Sequence, residues 1–403
     1  MSSPAAAPGD DALTAPQLAI ITSARLALIA AIRLMYPLQP FLAQQLSVDL
    51  RTASLIVTVQ LATSMLSPLG GYLADTRGAR TTMLAGVVIF CVGVIGCALS
   101  TTLEAFLIGY ALIGLAIALY QPAAQGYISG HTRYARRARA LGILETSWAL
   151  AAMVGVAPLM LLVQQQQAVS GAFWLLAGLG IAAALLVGIA LPGAPPAARR
   201  ASAEPLDWAV LRRPAVLAAC GMALCAFASY NTVVVVQSAW VQSVFVADEA
   251  TLGWLFAVAG AAELLGALMV AAFADRIGKR RTIVAGFGGT ALMVAVMPLT
   301  AGHWEWFIAS YALYFFLQEI GIVAMFPLAS EIVPHARGTV LALVITMTGL
   351  GSVIGSQLSE PIWRAAGFPA NGLAGAALLI GLLGCVALIR SDAERPPAAT
   401  LAS

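Results

Sequence analysis

Gly71-Tyr72-Leu73-Ala74-Asp75-Thr76-Arg77-Gly78-Ala79-Arg80-Thr81-Thr82 closes one long apolar run and opens the next. The same arrangement returns 200 residues later as Ala271-Ala272-Phe273-Ala274-Asp275-Arg276-Ile277-Gly278-Lys279-Arg280-Arg281-Thr282. A carboxylate at a helix end, a Gly, and then a basic cluster spell a tight helical hairpin at a membrane surface. The Gly can take positive φ in the turn, and the basic side chains sit among lipid headgroups.

Composition agrees. The 403 residues are 61% hydrophobic and 10% charged, with a mean hydropathy of +0.90, whereas soluble domains carry about 25% charged residues. Most of this chain is therefore solvated by lipid. Cys91, Cys97, Cys220, Cys225 and Cys385 fall inside apolar runs and read as small buried hydrophobes. His131, His303 and His335 stand apart, so no metal or cofactor site is expected. A net charge of +3 is too small to point to nucleic acid.

Residues 1–16 read as a disordered tail without a secretory signal. Twelve apolar runs follow, at 17–46, 52–74, 81–100, 103–130, 139–164, 169–191, 214–244, 250–274, 281–300, 304–331, 337–360 and 370–390. Each can cross the roughly 30 Å of hydrocarbon as a helix. A start inside the cell puts seventeen Lys and Arg in cytoplasmic segments and only Arg51 and Arg364 outside, so both termini are expected in the cytoplasm. Residues 192–213, rich in Pro and Arg, form a linker between bundles at 17–191 and 214–390. Residues 391–403 are a tail. The Asp207–Arg213 segment reads as a short amphipathic surface helix.

Duplication extends past the turn motif. Glu104 to Leu112 parallels Glu305 to Leu313, and Arg137, Leu141, Thr146, Leu150 and Gly155 parallel Arg337, Leu341, Thr346, Leu350 and Gly355. Three blocks in register are an internal repeat. Two like-facing six-helix bundles are a layout of transporters whose halves rock about a central site.

The helix count, the central linker and both turn motifs resemble the major facilitator superfamily, whose loop motif is Gly-x-x-x-Asp-Arg-x-Gly-Arg-Arg. The resemblance covers essentially the whole chain. It implies an all-α fold of twelve membrane helices in two pseudo-symmetric bundles, and a secondary transporter working by alternating access. It further implies that Gly71, Asp75, Arg77, Gly78, Arg80, Asp275, Arg276, Gly278, Lys279 and Arg280 form gating motifs that latch the halves on the inside. Thr76 and Ala79 depart from the motif in its first copy. Short loops and intramembrane Glu look most like the drug and metabolite efflux branch, although the fifth span offers only Gly155-Val-Ala-Pro158 of that branch's motif.

Ionisable residues inside spans are costly, at least about 2.5–3.5 kcal/mol each at the helix centre, so each needs a reason. Arg33 is expected either to meet an anionic substrate group or to pair with a carboxylate such as Glu145. Arg25, nearer the inner surface, can snorkel and is assigned no role. Glu263, Glu319 and Glu145 are candidate proton-coupling groups, with at least one of the first two expected to act on proton or substrate. Glu331 and Glu360 read as interfacial. Pro37 and Pro40 are expected to kink or loosen the first span. Tyr36, Tyr120, Gln121, Tyr230, Asn231, Gln237, Trp240, Tyr314 and Gln318 lie on the first, fourth, seventh and tenth spans, which surround the cavity in the family.

The expected function is proton-coupled efflux of a small amphipathic molecule by a monomer in the cytoplasmic membrane. Uptake of a small organic anion and movement of a lipid-like substrate are the alternatives within transport. A channel, or a membrane enzyme or receptor without a carrier cycle, is the alternative class. The scattered His and lone acids do not supply a catalytic pair, so no enzyme is expected.

Overall fold

The computed structural model describes residues 13–132, 134–192, 212–333 and 337–389, with all side chains among them except those of residues 75, 134, 135, 137, 138, 275, 337–339 and 342. The tail and linker expectations, the segment 207–211 and the side chains of Asp75 and Asp275 lie outside the described residues. Among the described residues every regular element is helical and none is a strand.

Among the described residues, eleven helices are long and apolar enough to cross a bilayer: α1 Ala15–Gln45, α2 Leu50–Ala74, α3 Ala79–Leu99, α4 Leu103–His131, α5 Arg139–Gln166, α6 Ser170–Ala190, α7 Pro214–Phe245, α8 Glu249–Ala274, α9 Lys279–Thr300, α10 Trp304–Glu331 and α11 Leu343–Leu388. Their outward faces are apolar. Trp174, Leu185, Ile189, Leu268, Trp306 and Ile380 are all exposed, an arrangement that only lipid tolerates over so many helices.

Two expected spans run together. The helix beginning at Arg337 continues to Leu388, with Gly367 (φ 74°, ψ 176°) as its one non-helical residue. At 1.5 Å per residue, 46 residues would reach about 70 Å, twice what the hydrocarbon needs. The chain instead folds back at Gly367. Asn371 Nδ2 donates to Ser359 O at 2.6 Å and to Thr232 O at 2.9 Å, and residues twelve apart cannot meet along a straight helix. Conversely, α2 is broken: Leu50–Ser64 and Ser67–Arg77 meet at Met65 and Leu66, because Pro68 cannot donate to the Ser64 carbonyl. Pro37 and Pro40, expected to loosen α1, lie within a helix unbroken from Ala15 to Gln45.

The duplicated turns have one geometry. Gly78 and Gly278 hold φ/ψ of 95°/139° and 92°/130°, a left-handed region that a side chain strains. Their N–H groups donate to Ala74 O and Ala274 O, and Thr82 and Thr282 Oγ1 donate back to Gly78 O and Gly278 O, both at 3.1 Å. Arg80 donates to Gly188 O at the end of α6, and Arg280 to Ala387 O at the end of α11, at 3.2 Å. These turns mark the basic face of the molecule. The start of α2 at Asp49 and of α8 at Asp248 mark the far face.

Contacts between the first half of the chain (α1–α6) and the second (α7–α11) run through α1 with α7 and α8, α5 with α8, and α2 with α11. Small residues permit the α5–α8 approach. A Cβ at Gly260 would fall 2.6 Å from Ala149 O, and one at Gly253 2.8 Å from Met160 Cβ. Within α2, Leu50–Ser64 packs on α4 of its own half and on α11 of the other, while Ser67–Arg77 packs on α3 and α4 of its own half.

Candidate functional site

Arg33 lies near mid-depth on α1 with a side chain only 1% exposed, and the Glu263 side chain on α8 is 4% exposed. The two form a bidentate pair, Arg33 Nη1 to Glu263 Oε2 at 2.5 Å and Nη2 to Oε1 at 2.9 Å. Such fork-to-fork geometry is the strongest form of ion pair a protein offers. The guanidinium also lies 4.9 Å from the centroid of Trp148 and donates to the Trp148 carbonyl at 3.4 Å. One side chain thus ties α1 and α5 of the first half to α8 of the second.

The expected partner, Glu145, belongs to a different arginine. Arg25, far from snorkelling, is 4% exposed and donates to Glu145 Oε2 at 2.7 Å, Gln121 Oε1 at 2.6 Å, Leu144 O at 2.7 Å and Ser147 Oγ at 2.9 Å. Depth explains the exchange. Arg25 is eight residues nearer the basic face than Arg33 and level with Glu145, which lies about two turns inside that end of α5. Gln121 and Gln125 complete the shell around Glu145. This second network stays within α1, α4 and α5, so it stiffens one half and leaves the other free.

Between Glu145 and the far face, α5 widens into a π-helical turn, Ala151–Val156. Pro158 accounts for it. The proline cannot donate to the Val154 carbonyl and crowds it, so the preceding turn opens. The turn begins three residues after Trp148.

Glu319 on α10 is partly exposed and makes no hydrogen bond or ion pair with a described residue. Its stem rests on α8, where a Cβ at Gly266 would meet Glu319 Cβ at 3.1 Å. It lies within electrostatic reach of Glu263, Arg33 and Glu145, groups from both halves, so it faces the seam between them. Beside it Gln318 is 2% exposed with neither amide atom partnered. One turn away Phe315 contacts Tyr311, Tyr314 and Tyr230 at centroid distances of 4.8, 5.0 and 6.4 Å.

The remaining expected cavity residues divide. Tyr36 donates to Asn231 Oδ1 at 3.2 Å across the halves. Gln237 keeps an unpartnered amide oxygen and donates to Met297 Sδ at 3.3 Å. Tyr120, fully buried, donates to Ile21 O at 2.8 Å, and Trp240 stacks on Phe368 at 4.2 Å. Those two pack helices together. Gln39, 1% exposed with both amide atoms unpartnered, and the Tyr311 hydroxyl, also unpartnered, were not singled out from the sequence. An amide set between Pro37 and Pro40 was the available signal for Gln39.

At the far face, the N-cap of α2, Asp49, accepts from Arg364 on α11 at 3.2 Å. The N-cap of α8, Asp248, accepts from Gln164 on α5 at 2.7 Å. The same residues carry low carboxyl pKa values, held there chiefly by the hydrogen bonds of their caps with Thr52 and Thr251. Arg364 also pairs at 2.7 Å with Glu360, which is 3% exposed; its partner on the next helical turn makes that burial tolerable. Thr58 links to Ser356 at 3.0 Å and to Gln357 at 2.6 Å. Polar ties between described residues of the two halves therefore run from mid-depth to the far face.

At the basic face, the described motif residues bind within their own half. Arg80 and Arg280 cap α6 and α11 as above, and Lys279 pairs with Glu331. Arg77 and Arg276 are exposed, and Gly71 has open space beside it. Whether these residues latch the halves turns on Asp75 and Asp275, whose side chains are outside the described residues.

A duplicated all-helical membrane chain with a buried polar seam between its halves has the frame of a multi-pass transporter. The family model of the Major Facilitator Superfamily matches residues 21–236 and 218–403, and the chain belongs to that family of transporters. An "Uncharacterized MFS-type transporter YwfA" of Bacillus subtilis (strain 168) is 25% identical over 354 residues, which cover 85% of this chain and 84% of the relative. Among solved structures, a D-xylose–proton symporter superposes with a TM-score of 0.77 at 14% identity, covering 91% of this chain and 96% of its own. The nucleoside transporter NupG superposes with a TM-score of 0.75 at 14% identity, covering 93% and 99%. At such identities the structural likeness speaks for the fold alone.

Proposed function

We propose that the protein is a proton-coupled secondary transporter of a small amphipathic molecule, working by alternating access in the cytoplasmic membrane and exporting its cargo. Counting the two limbs that fold back at Gly367 separately gives twelve spans, in bundles of six at 17–191 and 214–390. The basic residues clustered at the Gly78 and Gly278 face support a cytoplasmic position for it. The far face is then the outer side, and the ties there belong to an outward-closed conformation.

The observation that carries this reading is the Arg33–Glu263 pair. It joins the halves at mid-depth, and the halves cannot part there while both charges keep each other. Removing one partner of a buried pair costs about 3–5 kcal/mol. A proton on the carboxylate, or a charge on the cargo, removes the partner reversibly and so lets the cycle turn. Uptake of an anion at Arg33 is less well supported, since both terminal nitrogens of that arginine are already engaged by Glu263.

The test is flux in proteoliposomes under an imposed pH gradient, with a panel of lipophilic cations, organic anions, sugars and nucleosides. One panel member is expected to move against its gradient, to stop on addition of a protonophore and to show trans-stimulated counterflow. Flux that ignores the protonophore, or shows no trans-stimulation, contradicts a proton-driven carrier.

A further inference from the structure

We infer that the far face carries a lipid site between the halves: the headgroup of a zwitterionic phospholipid seats in the cavity lined by Arg51 and Arg364, with its phosphate on Arg51 and its ammonium toward Glu360. The inference rests on that cavity and does not depend on what the protein carries.

Lys and Arg gather at the basic face. Among the described residues, Arg51 and Arg364 are the only two at the far face. They come from opposite halves, Arg51 from the first turn of α2 and Arg364 from α11. Together with Glu360, Pro361 and Ala365 they line one cavity of about 300 Å³. That volume is the lower end of the range for small-molecule sites, room for a headgroup and not for a whole lipid.

Charge is shared unevenly there. Arg364 serves two carboxylates, Asp49 at 3.2 Å and Glu360 at 2.7 Å. The Arg51 side chain is exposed and makes no hydrogen bond or ion pair with a described residue. The four charges sum to zero. An anion alone would satisfy Arg51 but lie against two carboxylates, and a cation alone would meet the unmatched Arg51. A ligand with both signs a few bonds apart fits without adding net charge. A phosphodiester offers two oxygens to the planar fork of Arg51, and Glu360 supplies the negative pole of the same cavity.

The residues one turn deeper favour a lipid over a soluble zwitterion. Leu55 follows Arg51 on one face of α2, and Leu358 and Ile354 lead inward from Pro361 on one face of α11. All three are exposed, so acyl chains hanging from a headgroup in the cavity would lie on apolar surface. Behind them Thr58 bonds to Ser356 at 3.0 Å and to Gln357 at 2.6 Å. Those bonds close the groove between α2 and α11 and keep the chains on the outside of the seam. A headgroup that touches both halves here favours the closed far face.

Purified full-length protein in detergent is titrated with dioleoyl-phosphatidylethanolamine, with dioleoyl-phosphatidylglycerol and with soluble glycerophosphoethanolamine, and adducts are counted by native mass spectrometry. One molecule of the ethanolamine lipid is expected to stay bound, the glycerol lipid to bind more weakly and the soluble headgroup to leave no adduct at the same concentration. Arg51→Gln should weaken retention of the ethanolamine lipid roughly tenfold, the loss of hydrogen bonds to a charged group, and Arg51→Lys should restore it in part. The ethanolamine lipid should also raise the thermal unfolding midpoint of the native chain more than that of Arg51→Gln, and the midpoints without lipid confirm that both are folded. Equal retention by Arg51→Gln, or preference for the glycerol lipid, overturns the inference. Binding of glycerophosphoethanolamine as tight as that of the lipid overturns the lipid assignment in favour of a soluble zwitterion.

Discussion

Asp49 and Asp248 stand at equivalent places in the two halves, and each both caps its own helix and reaches across to the other half. Asp49 accepts from Thr52 N at 3.0 Å and from Arg364; Asp248 accepts from Thr251 N at 2.9 Å and from Gln164. The duplication is thus visible in the closure of the far face as well as in the basic turns. Both carboxyls titrate lower in the folded protein than when unfolded. The stability they lend is therefore complete above the unfolded carboxyl pKa of about 3.9 and drains away as pH falls through the folded value. Thermal unfolding in detergent from neutral to strongly acidic pH should show this loss, and Asp49→Asn with Asp248→Asn should flatten it. Asp248→Ala, which removes a cap, should cost about 1 kcal/mol at neutral pH.

Arg33 and Glu263 should separate stability from transport. Arg33→Ala or Glu263→Ala leaves one buried charge alone and should destabilise by about 3–5 kcal/mol. Replacing both, as Arg33→Met with Glu263→Leu, should recover most of the unfolding midpoint while abolishing proton-driven flux. Full flux in the double variant would show that the pair serves packing alone.

Arg25 should matter less to stability than Arg33. Its partner Glu145 is 51% exposed, so water takes over when the arginine is removed. Arg25→Gln should therefore cost about 1.5–3 kcal/mol, the worth of hydrogen bonds to a charged group. Parallel denaturation curves of Arg25→Gln and Arg33→Gln check the order.

Gly78→Ala and Gly278→Ala should each cost about 1–3 kcal/mol through backbone strain. Because the two turns share one geometry, the two costs should agree within about 0.5 kcal/mol and add in the double variant. Markedly unequal losses would mean that the repeat is equivalent in sequence but not in mechanics.

The fold was legible because lipid leaves few options: apolar length, charge placement and a 200-residue repeat fix helices, turns and pairing of halves. The depth of each intramembrane charge was legible too, which is how Arg33, Glu263 and Glu319 stood out. Partner choice was not. Arg25 and Arg33 lie on one helix two turns apart, and which carboxylate each meets depends on how α5 and α8 slide against α1. That sliding is set by contacts such as Gly260 on Ala149 and by the π-helical turn before Pro158, features with no periodic trace. The ties of Asp49 and Asp248 were hidden for a related reason: an N-cap signature says where a helix begins, not which distant residue shares its carboxylate.

The most direct measurement is the distance between the halves at both faces at once, by double electron–electron resonance. One spin-label pair at Gln165 and Val246 reads the far face, and another at Thr76 and Arg281 reads the basic face. Arg33→Met with Glu263→Leu in the Asp49→Ala background should add a longer far-face population while the basic-face distance shortens in proportion. If both distances stay fixed, or both lengthen together, the halves do not alternate about this pair and the account is contradicted.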